Sequence, residues 1–437
     1  MSARPPTEPL GQLSPQGWME ASETKAVVAA LMAEGAEVRF VGGCVRDSVL
    51  HRPIKDIDIA THDPPERVME LLAKAGIRVI PTGLAHGTVT AVVGKAHFEV
   101  TTLREDVETF GRHARVTFTD DWTADAARRD FTMNAMFADP HGRVYDPFNG
   151  LADLGRGRVQ FVGNPMRRIE EDVLRLLRFF RFYAHYGRPP MDTQALYACK
   201  RMAPKLVTLS GERVAGEIVR LLQAPDPATV LVLMHGEGIL APILPEAHGF
   251  GRLRVLTWLE SRALVRDTIK PDPFRRLAAM LTTDADGARA LGERLKLSTL
   301  QTERLVAMVA PKVAVSFEMD ARAMRRALRK VGADTFRDLA LVAWAGHRAV
   351  TGRPDARESA RWIALLDAAD TWQPVELPVR GADCLALGLP HGPLIGRALA
   401  EIECWWEDRD YRPGREECLA KLRDVVESGP HPAPPSP

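Results

Sequence analysis

Between Val38 and Tyr145, short β-branched runs recur with turn residues between them: V-R-F-V, I-D-I, I-R-V-I, T-V-T-A-V-V, H-F-E-V-T-T and R-V-Y. Such runs predict strands, whose successive side chains point to opposite faces. A helical stretch, Pro65–Ala75, intervenes, so the segment reads as mixed α/β. From about Pro165 the strand pattern fades. Leu, Ala, Arg and Glu then recur at helical spacing over Ile169–Tyr186, Glu212–Leu222, Arg275–Met280 and Ala321–Val331. The spacing predicts a mostly helical remainder. The expected class is therefore α+β: a small mixed β-sheet followed by an all-α region. No repeat of fixed period runs through the chain. The first twenty residues are rich in Pro and Gly, and the last ten read S-G-P-H-P-A-P-P-S-P; both ends are expected to be disordered.

Composition narrows the class. The 437 residues suggest two to four domains, and 46% apolar with 26% charged residues is the balance of a globular protein with a real core. No apolar run reaches the roughly eighteen residues of a membrane span, and the N-terminus lacks the apolar stretch of a secretory signal. Five cysteines (Cys44, Cys199, Cys384, Cys404, Cys418) stand far apart with no C-x-x-C pair. That argues against a disulfide framework or a zinc site and for a reducing cytoplasm. Net charge is only +1, so a phosphate-facing surface has to be local. Two stretches offer one: 154–188, with eight arginines from Arg156 to Arg188, and 320–330, with Arg322, Arg325, Arg326, Arg329 and Lys330. The second reads equally well as a solvated helix face.

The chemistry concentrates in F-V-G-G-C-V-R-D-S-V-L-H-R-P-I-K-D-I-D-I-A, residues 40–60. A strand at Val38–Val41 leads into Gly42-Gly43, where bare backbone can turn sharply and approach a ligand. A short helix over Cys44–Leu50 would aim its free N–H groups at that turn, a phosphate-binding arrangement, with Arg46 in its first turn. In the following strand Asp56 and Asp58, two apart, share a face opposite Ile57 and Ile59. Paired carboxylates repel unless a cation lies between them, and Mg²⁺ favours one or two carboxylates plus substrate phosphates. Taken alone, D-I-D is as well explained by an acidic edge strand. The glycine turn and Arg46 tip the balance towards a metal site.

These segments resemble the nucleotidyltransferases of the DNA polymerase β superfamily, and more narrowly the class II CCA-adding tRNA nucleotidyltransferases and related bacterial poly(A) polymerases. The resemblance rests on G-G-C-V-R-D with K-D-I-D-I-A-T, then A-R-R-D-F-T-M-N-A (127–135), D-P-F-N-G (146–150) and E-D-V-L-R-L-L-R-F-F-R-F (171–182). It spans roughly Val38 to Gly216; G-P-L-I-G-R-A-L with W-W nearby adds a weaker match to the family's tail. The resemblance implies a nucleotidyltransferase head at 21–150, a nucleotide-selecting neck at 151–225, and an RNA-binding body and tail at 226–427, with 1–20 and 428–437 disordered. It implies that Asp56 and Asp58 are catalytic and hold Mg²⁺. It also implies nucleotide contacts by Gly43, Arg46, Arg129, Asp172, Arg175, Arg178 and Arg181. Glu99 is a candidate third carboxylate. The chemistry it implies is in-line attack of an RNA 3′-hydroxyl on the α-phosphate of CTP or ATP, with pyrophosphate leaving.

Asp172 and Arg175 lie three apart, neighbours on a helix surface. Adenine and cytosine each present an amino donor beside a ring-nitrogen acceptor; guanine and uracil present the reverse. A carboxylate beside a guanidinium therefore suits A and C, so the protein itself can serve as template. The plain alternative is an i,i+3 surface salt bridge. Arg178 and Arg181 continue the step of three but drift around the helix, towards phosphates or neighbouring elements. Arg129 has an ion pair with Asp130 or another acid as its competing reading.

Four functions stay open. Addition of CCA to tRNA is preferred. A poly(A) polymerase shares every motif, but the arginine-rich G-R-[RK]-F segment usual before its acidic strand is missing from P-T-G-L-A-H-G-T-V-T-A-V-V-G-K-A-H-F-E-V. CC-only addition is disfavoured because 104–121 supplies the flexible loop such enzymes tend to lack; A-only addition stays open. The fourth, from another class, is a non-catalytic RNA-binding protein. The expected partners are tRNA, CTP and ATP, with neither a membrane nor a protein partner. His62-Asp63, superficially a metal dyad, reads as a helix-capping loop.

Overall fold

The alternating segment folds into one eight-stranded mixed sheet. The computed structural model describes residues 8–110, 113–352 and 355–428, and only the backbone of 106–110 and 113–116. Ten strands are defined: β1 (Gly11–Gln12), β2 (Val38–Val41), β3 (Ile57–Thr61), β4 (Arg78–Gly83), β5 (Thr88–Val93), β6 (Ala96–Thr102), β7 (Arg104–Phe110), β8 (His113–Phe118), β9 (Phe137–Ala138) and β10 (Arg143–Tyr145). The large sheet runs β1-β10-β9-β2-β3-β6-β5-β4, and β7-β8 forms a separate two-stranded ribbon. Among the described residues only β3 and β6 pair parallel, with Asp58 opposite Glu99; the other pairings are antiparallel. β2 lies in the middle and is buried along its whole length. Its charged residue, Arg39, is accommodated by an ion pair to Glu37 and by the rings of Trp122 and Tyr145, 4.3 and 3.7 Å away.

Several expectations change. The flexible loop expected at 104–121 is the β7-β8 ribbon followed by a helix from Trp122, with residues 111–112 outside the described set. Of the N-terminal segment expected to be disordered, residues 1–7 lie outside the described set, but residues 8–20 are tied down at several points. β1 pairs with β10, Leu13 and Met19 are buried, and the Trp18 indole N–H donates to Ser48 Oγ at 3.0 Å. The cause is a handful of apolar residues between the prolines that the sheet edge and the Gly43–Val49 helix take up. Of the tail, residues 429–437 lie outside the described set. His62 stacks edge-on against Trp122 at 5.0 Å, and the helix Pro65–Lys74 begins without a side-chain cap. The dyad is thus a packed turn.

The chain divides into two compact units, residues 1–247 with 293–297, and residues 248–292 with 298–437. The boundary falls about twenty residues beyond the expected neck–body junction. The second unit is helical and holds two cores. In one, Trp344 and Trp362 stack at 6.0 Å among buried leucines. Beside it Glu260 is fully buried and accepts from Arg275 at 2.6 Å and Arg276 at 2.7 Å, while Asp338 accepts from Arg275 and Arg304 at 2.8 Å. Removing one member of a buried ion network strands the others without solvent. Glu260→Ala is therefore expected to destabilise this unit by about 3–5 kcal/mol, read by urea unfolding followed through tryptophan fluorescence.

The second arginine stretch is neither a free phosphate surface nor a merely solvated face. Arg322 and Arg326 reach Asp408, Arg325 reaches Asp410, and Arg329 reaches Glu403 and Glu407. It is an ion-pair seam between helix Ala321–Val331 and the end of helix Pro393–Asp408. That second helix carries G-P-L-I-G-R-A-L and the W-W pair; Trp406 is buried and donates to the Pro413 carbonyl at 3.0 Å. No described helix is long and apolar enough to cross a membrane.

Candidate active site

The end of β2 opens a cleft of about 430 Å³ lined by Gly42, Gly43, Arg46, Asp58, Arg128, Arg129, Asp130, Asn134, Asp172, Leu174, Arg175, Arg178, Phe182 and Arg213. Six of these are arginines against three aspartates, a balance suited to a polyanion. Of the residues expected from sequence, Gly43, Arg46, Asp58, Arg129, Asp172, Arg175 and Arg178 line it; Asp56, Glu99 and Arg181 do not.

The glycine turn forms as expected, with the helix starting one residue early, at Gly43–Val49. Gly42 has φ +75° and ψ −122°, a region closed to other residues. A Cβ there would lie 3.7 Å from both Asp58 Oδ2 and Arg129 Nη1. Gly42→Ala is expected to cost about 1–3 kcal/mol in backbone strain, lowering the melting temperature and depressing nucleotide binding; calorimetry and titration with CTP check the two effects.

Asp58 lies in β3, partly buried, while Asp56 precedes the strand and is exposed. The strand begins at Ile57, so Asp56 stands immediately before it, close enough for its charge to act on Asp58. Burial first, then the charges of Glu99 and Asp56, push the Asp58 carboxyl up to about 6, against the pull of Arg129 and Arg46. Glu99, its register partner, is exposed on the same face. Among the described residues no group of three or more His, Cys, Asp or Glu is arranged to hold a metal. The donor set nonetheless fits a hard divalent cation: a desolvated carboxylate repelled by neighbouring acids is the environment a cation relieves, and substrate phosphates commonly complete such a shell.

The neck helix breaks where a continuous one was expected. Pro165–Glu171 ends at Asp172, whose backbone is extended (φ −149°, ψ 109°), and a second helix runs Leu174–Tyr186. The Asp172 side chain competes for the backbone, accepting from Leu174 N at 3.1 Å. Its ion pair is with Arg213 at 2.7 Å, not with Arg175. Arg175 is held by Glu171 and donates to the carbonyls of Arg168 and Arg128. The alternative i,i+3 salt bridge does not form, and both side chains present to the cleft from separate supports.

The remaining arginines are braced in the same way. Arg178 pairs with Asp130 at 2.5 Å, Arg181 with buried Glu217 at 2.9 Å, and Arg129 with buried Asp125 at 2.8 Å. Burial opposes ionisation of Asp130, but Arg178 and the Asn134 amide hold its carboxyl down at about 2. Burial lowers Arg181 to about 10. Arg181 thus supports a neighbouring helix, and Arg129 meets its competing reading with Asp125 in place of Asp130 while still facing the cleft. Arg128, Asp130, Asn134 and Arg213 were missed from sequence. Three of them stood inside the quoted A-R-R-D-F-T-M-N-A segment; Arg213 carried no chemical signal. In D-P-F-N-G the Asp146 carboxylate accepts from Gly150 N and Leu151 N at 2.7 and 2.9 Å, fixing that turn.

Comparison with known proteins places this architecture. Residues 38–160 match the family model described as "Poly A polymerase head domain", and residues 190–250 match "Probable RNA and SrmB- binding site of polymerase A". The chain is 34% identical over 396 residues to CCA tRNA nucleotidyltransferase 1, mitochondrial, of Danio rerio, covering 88% of this chain and 87% of that protein. It is 31% identical over 408 residues to the Homo sapiens protein of the same name, covering 91% and 89%. The crystal structure of the Bacillus stearothermophilus CCA-adding enzyme in complex with CTP superposes with a TM-score of 0.73 at 28% identity, covering 93% of this chain and 97% of that one. The chain belongs to the class II CCA-adding tRNA nucleotidyltransferase and poly(A) polymerase family.

Proposed function

We propose that this protein adds C, C and A in turn to the 3′ end of tRNA, drawing on CTP and ATP and using no nucleic-acid template. One observation carries the reading: Asp58 and Arg129 face Gly42 at the end of β2, and the same arginine-rich cleft receives Asp172 and Arg175 from the neck. Triphosphate chemistry and base selection thus share one cavity. The family relationship supports the same conclusion.

In this reading Arg46 and Arg129 bind the phosphates, and Gly42 lets them approach the backbone. Asp58, with Asp56 reaching in from the strand's start, holds a divalent cation, for which we propose Mg²⁺. When bound, that ion lowers the barrier to in-line attack by the 3′-hydroxyl and neutralises charge on the α-phosphate. Asp172 accepts from the amino group of cytosine or adenine, and Arg175 donates to the adjacent ring nitrogen. Arg178 braces Asp130 at the cleft wall. Glu99 acts on Asp58 through its charge.

We further assign 21–150 as catalytic head, 151–225 as neck and 226–427 as the part that grips RNA by shape and phosphates. Four of the five cysteines are buried and all are free, which supports a reducing compartment; a cytoplasmic location is part of this proposal.

Mass spectrometry of a tRNA lacking its terminus, incubated with each nucleoside triphosphate and Mg²⁺, tests the reading. Addition of C, C and A followed by arrest is expected. A lengthening A tail would identify a poly(A) polymerase, a single A an A-only enzyme, and an unchanged tRNA a binding protein.

A further inference from the structure

Among the cleft arginines, Arg46 leans on a chain neighbour, Asp47, that is itself held from elsewhere in the fold. It sits on the seven-residue helix Gly43–Val49 and is 8% exposed. Three of its five N–H groups are already committed: two to the Asp47 carboxylate at 3.0 and 2.7 Å, and one to Asn134 Oδ1 at 2.6 Å. The guanidinium nonetheless borders the cleft, where a phosphate can meet it. Since Asp47 is its chain neighbour, the direction in which Arg46 presents its guanidinium depends on what fixes Asp47.

That fixing group comes from the neck. The Tyr186 hydroxyl donates to Asp47 Oδ1 at 2.9 Å. The Tyr186 ring lies 4.5 Å from the guanidinium carbon of Arg46 and equally close to that of Arg52, which itself donates to the His185 carbonyl at 3.0 Å. Phe182, one turn earlier, adds a second ring 5.2 Å from Arg46. Burial raises the Tyr186 phenol above its ordinary value, so it keeps its proton and donates at neutral pH. Tyr186 ends the same helix, Leu174–Tyr186, whose first turn carries Arg175. One rigid element therefore reaches the cleft at its start and the glycine-turn helix at its end.

We propose that Tyr186 is a positioning residue for triphosphate binding: through Asp47 it sets the orientation of Arg46, and it ties the phosphate-binding helix to the helix that reads the base. The proposal rests on Arg46 as a phosphate ligand in the nucleotidyl transfer proposed above. Outer groups that orient metal-binding side chains commonly change affinity about tenfold or more when removed, and an effect of about that size is expected for a guanidinium oriented through Asp47.

The test is Tyr186→Phe, which keeps both ring contacts and deletes the bond to Asp47. The expected result is a KM for CTP and for ATP raised about tenfold by the same factor, with kcat changed less than about twofold and the melting temperature unmoved. Pyrophosphate, carrying the same charged oxygens without a base, should inhibit about tenfold more weakly. Loss of uniform binding gives this split; a merely structural role would lower the active fraction, hence kcat, and the melting temperature. Asp47→Ala breaks the link from the other side, and the double variant should be no worse than the more damaging single one. Unchanged KM values in Tyr186→Phe, or losses that simply add in the double variant, would overturn the proposal. If the unsubstituted protein adds no nucleotide at all, the functional reading itself fails instead.

Discussion

Replacing Asp58 by asparagine is expected to abolish nucleotide addition while making the metal-free protein more stable. Both effects come from one feature. Asp58 projects from β3 towards the glycine turn, half-buried, with Glu99 beside it on β6 and Asp56 just upstream. In the mechanism proposed above, Asp58 would hold a cation that neutralises charge on the α-phosphate, so removing this carboxylate should reduce the rate on the order of a thousandfold or more. The same carboxylate is unfavourable when no cation is present. Burial and the neighbouring acids push its carboxyl from 3.8 to about 6. Holding it ionised at neutral pH therefore costs the fold on the order of 2–3 kcal/mol.

The sign follows from linkage. The folded protein binds the Asp58 proton more tightly than the unfolded chain does, so between about pH 4 and about pH 6 this group makes stability fall as pH rises. Above about pH 6 the penalty is complete; below about pH 4 it vanishes. Asp58→Asn lacks this slope, so in a chelator it should melt higher than the unsubstituted protein at about pH 7 and equally at about pH 4. Added divalent metal should narrow the gap at neutral pH by stabilising only the protein that retains Asp58. Equal melting temperatures at neutral pH in chelator would contradict the environment assigned to this residue.

The second large effect concerns which nucleotides enter. Asp172→Ala is expected to relax the preference for CTP and ATP over UTP and GTP by about ten- to a hundredfold, the scale of one bidentate base contact. Asp172 has one oxygen engaged by Leu174 N and the other by Arg213, and each oxygen keeps a further lone pair for an amino donor. Neither the cytosine nor the adenine edge leaves that carboxylate opposed by another acceptor, whereas the carbonyls of uracil and guanine do. Asp172→Asn can turn an amide N–H towards those carbonyls, and should admit UTP and GTP better than the alanine variant. Competition between the four triphosphates on one tRNA, scored by mass spectrometry, measures both ratios. An unchanged ratio in Asp172→Ala would remove Asp172 from base selection.

Much of the head was legible from local pattern. β2, β5 and β10 begin and end where the β-branched runs do, and the glycine turn announces itself by two adjacent residues without side chains. Helix ends were less legible. Residues 169–186 carry an unbroken helical periodicity, yet the chain opens at Asp172, because a short carboxylate that can accept from backbone N–H two residues on competes with the helix bond. The N-terminal segment was misjudged for a related reason. Its prolines dominate the composition, but Trp18, Leu13 and Met19 find a home against residues far along the chain.

Local pattern along the chain set the strand and helix content, the bare-backbone turn, and the charged residues from which a nucleotide cleft had to be built. Those properties follow from side-chain period, glycine's missing Cβ and residue type, all of which are local. Packing chose the pairings: Asp172 is held by Arg213, Arg175 by Glu171, Arg178 by Asp130 and Asp47 by Tyr186. An arginine's reach is long and its preferences are satisfied by any nearby carboxylate, so which acid it meets depends on how helices and sheet pack. Only that packing separates an arginine left facing the cleft from one spent on the scaffold.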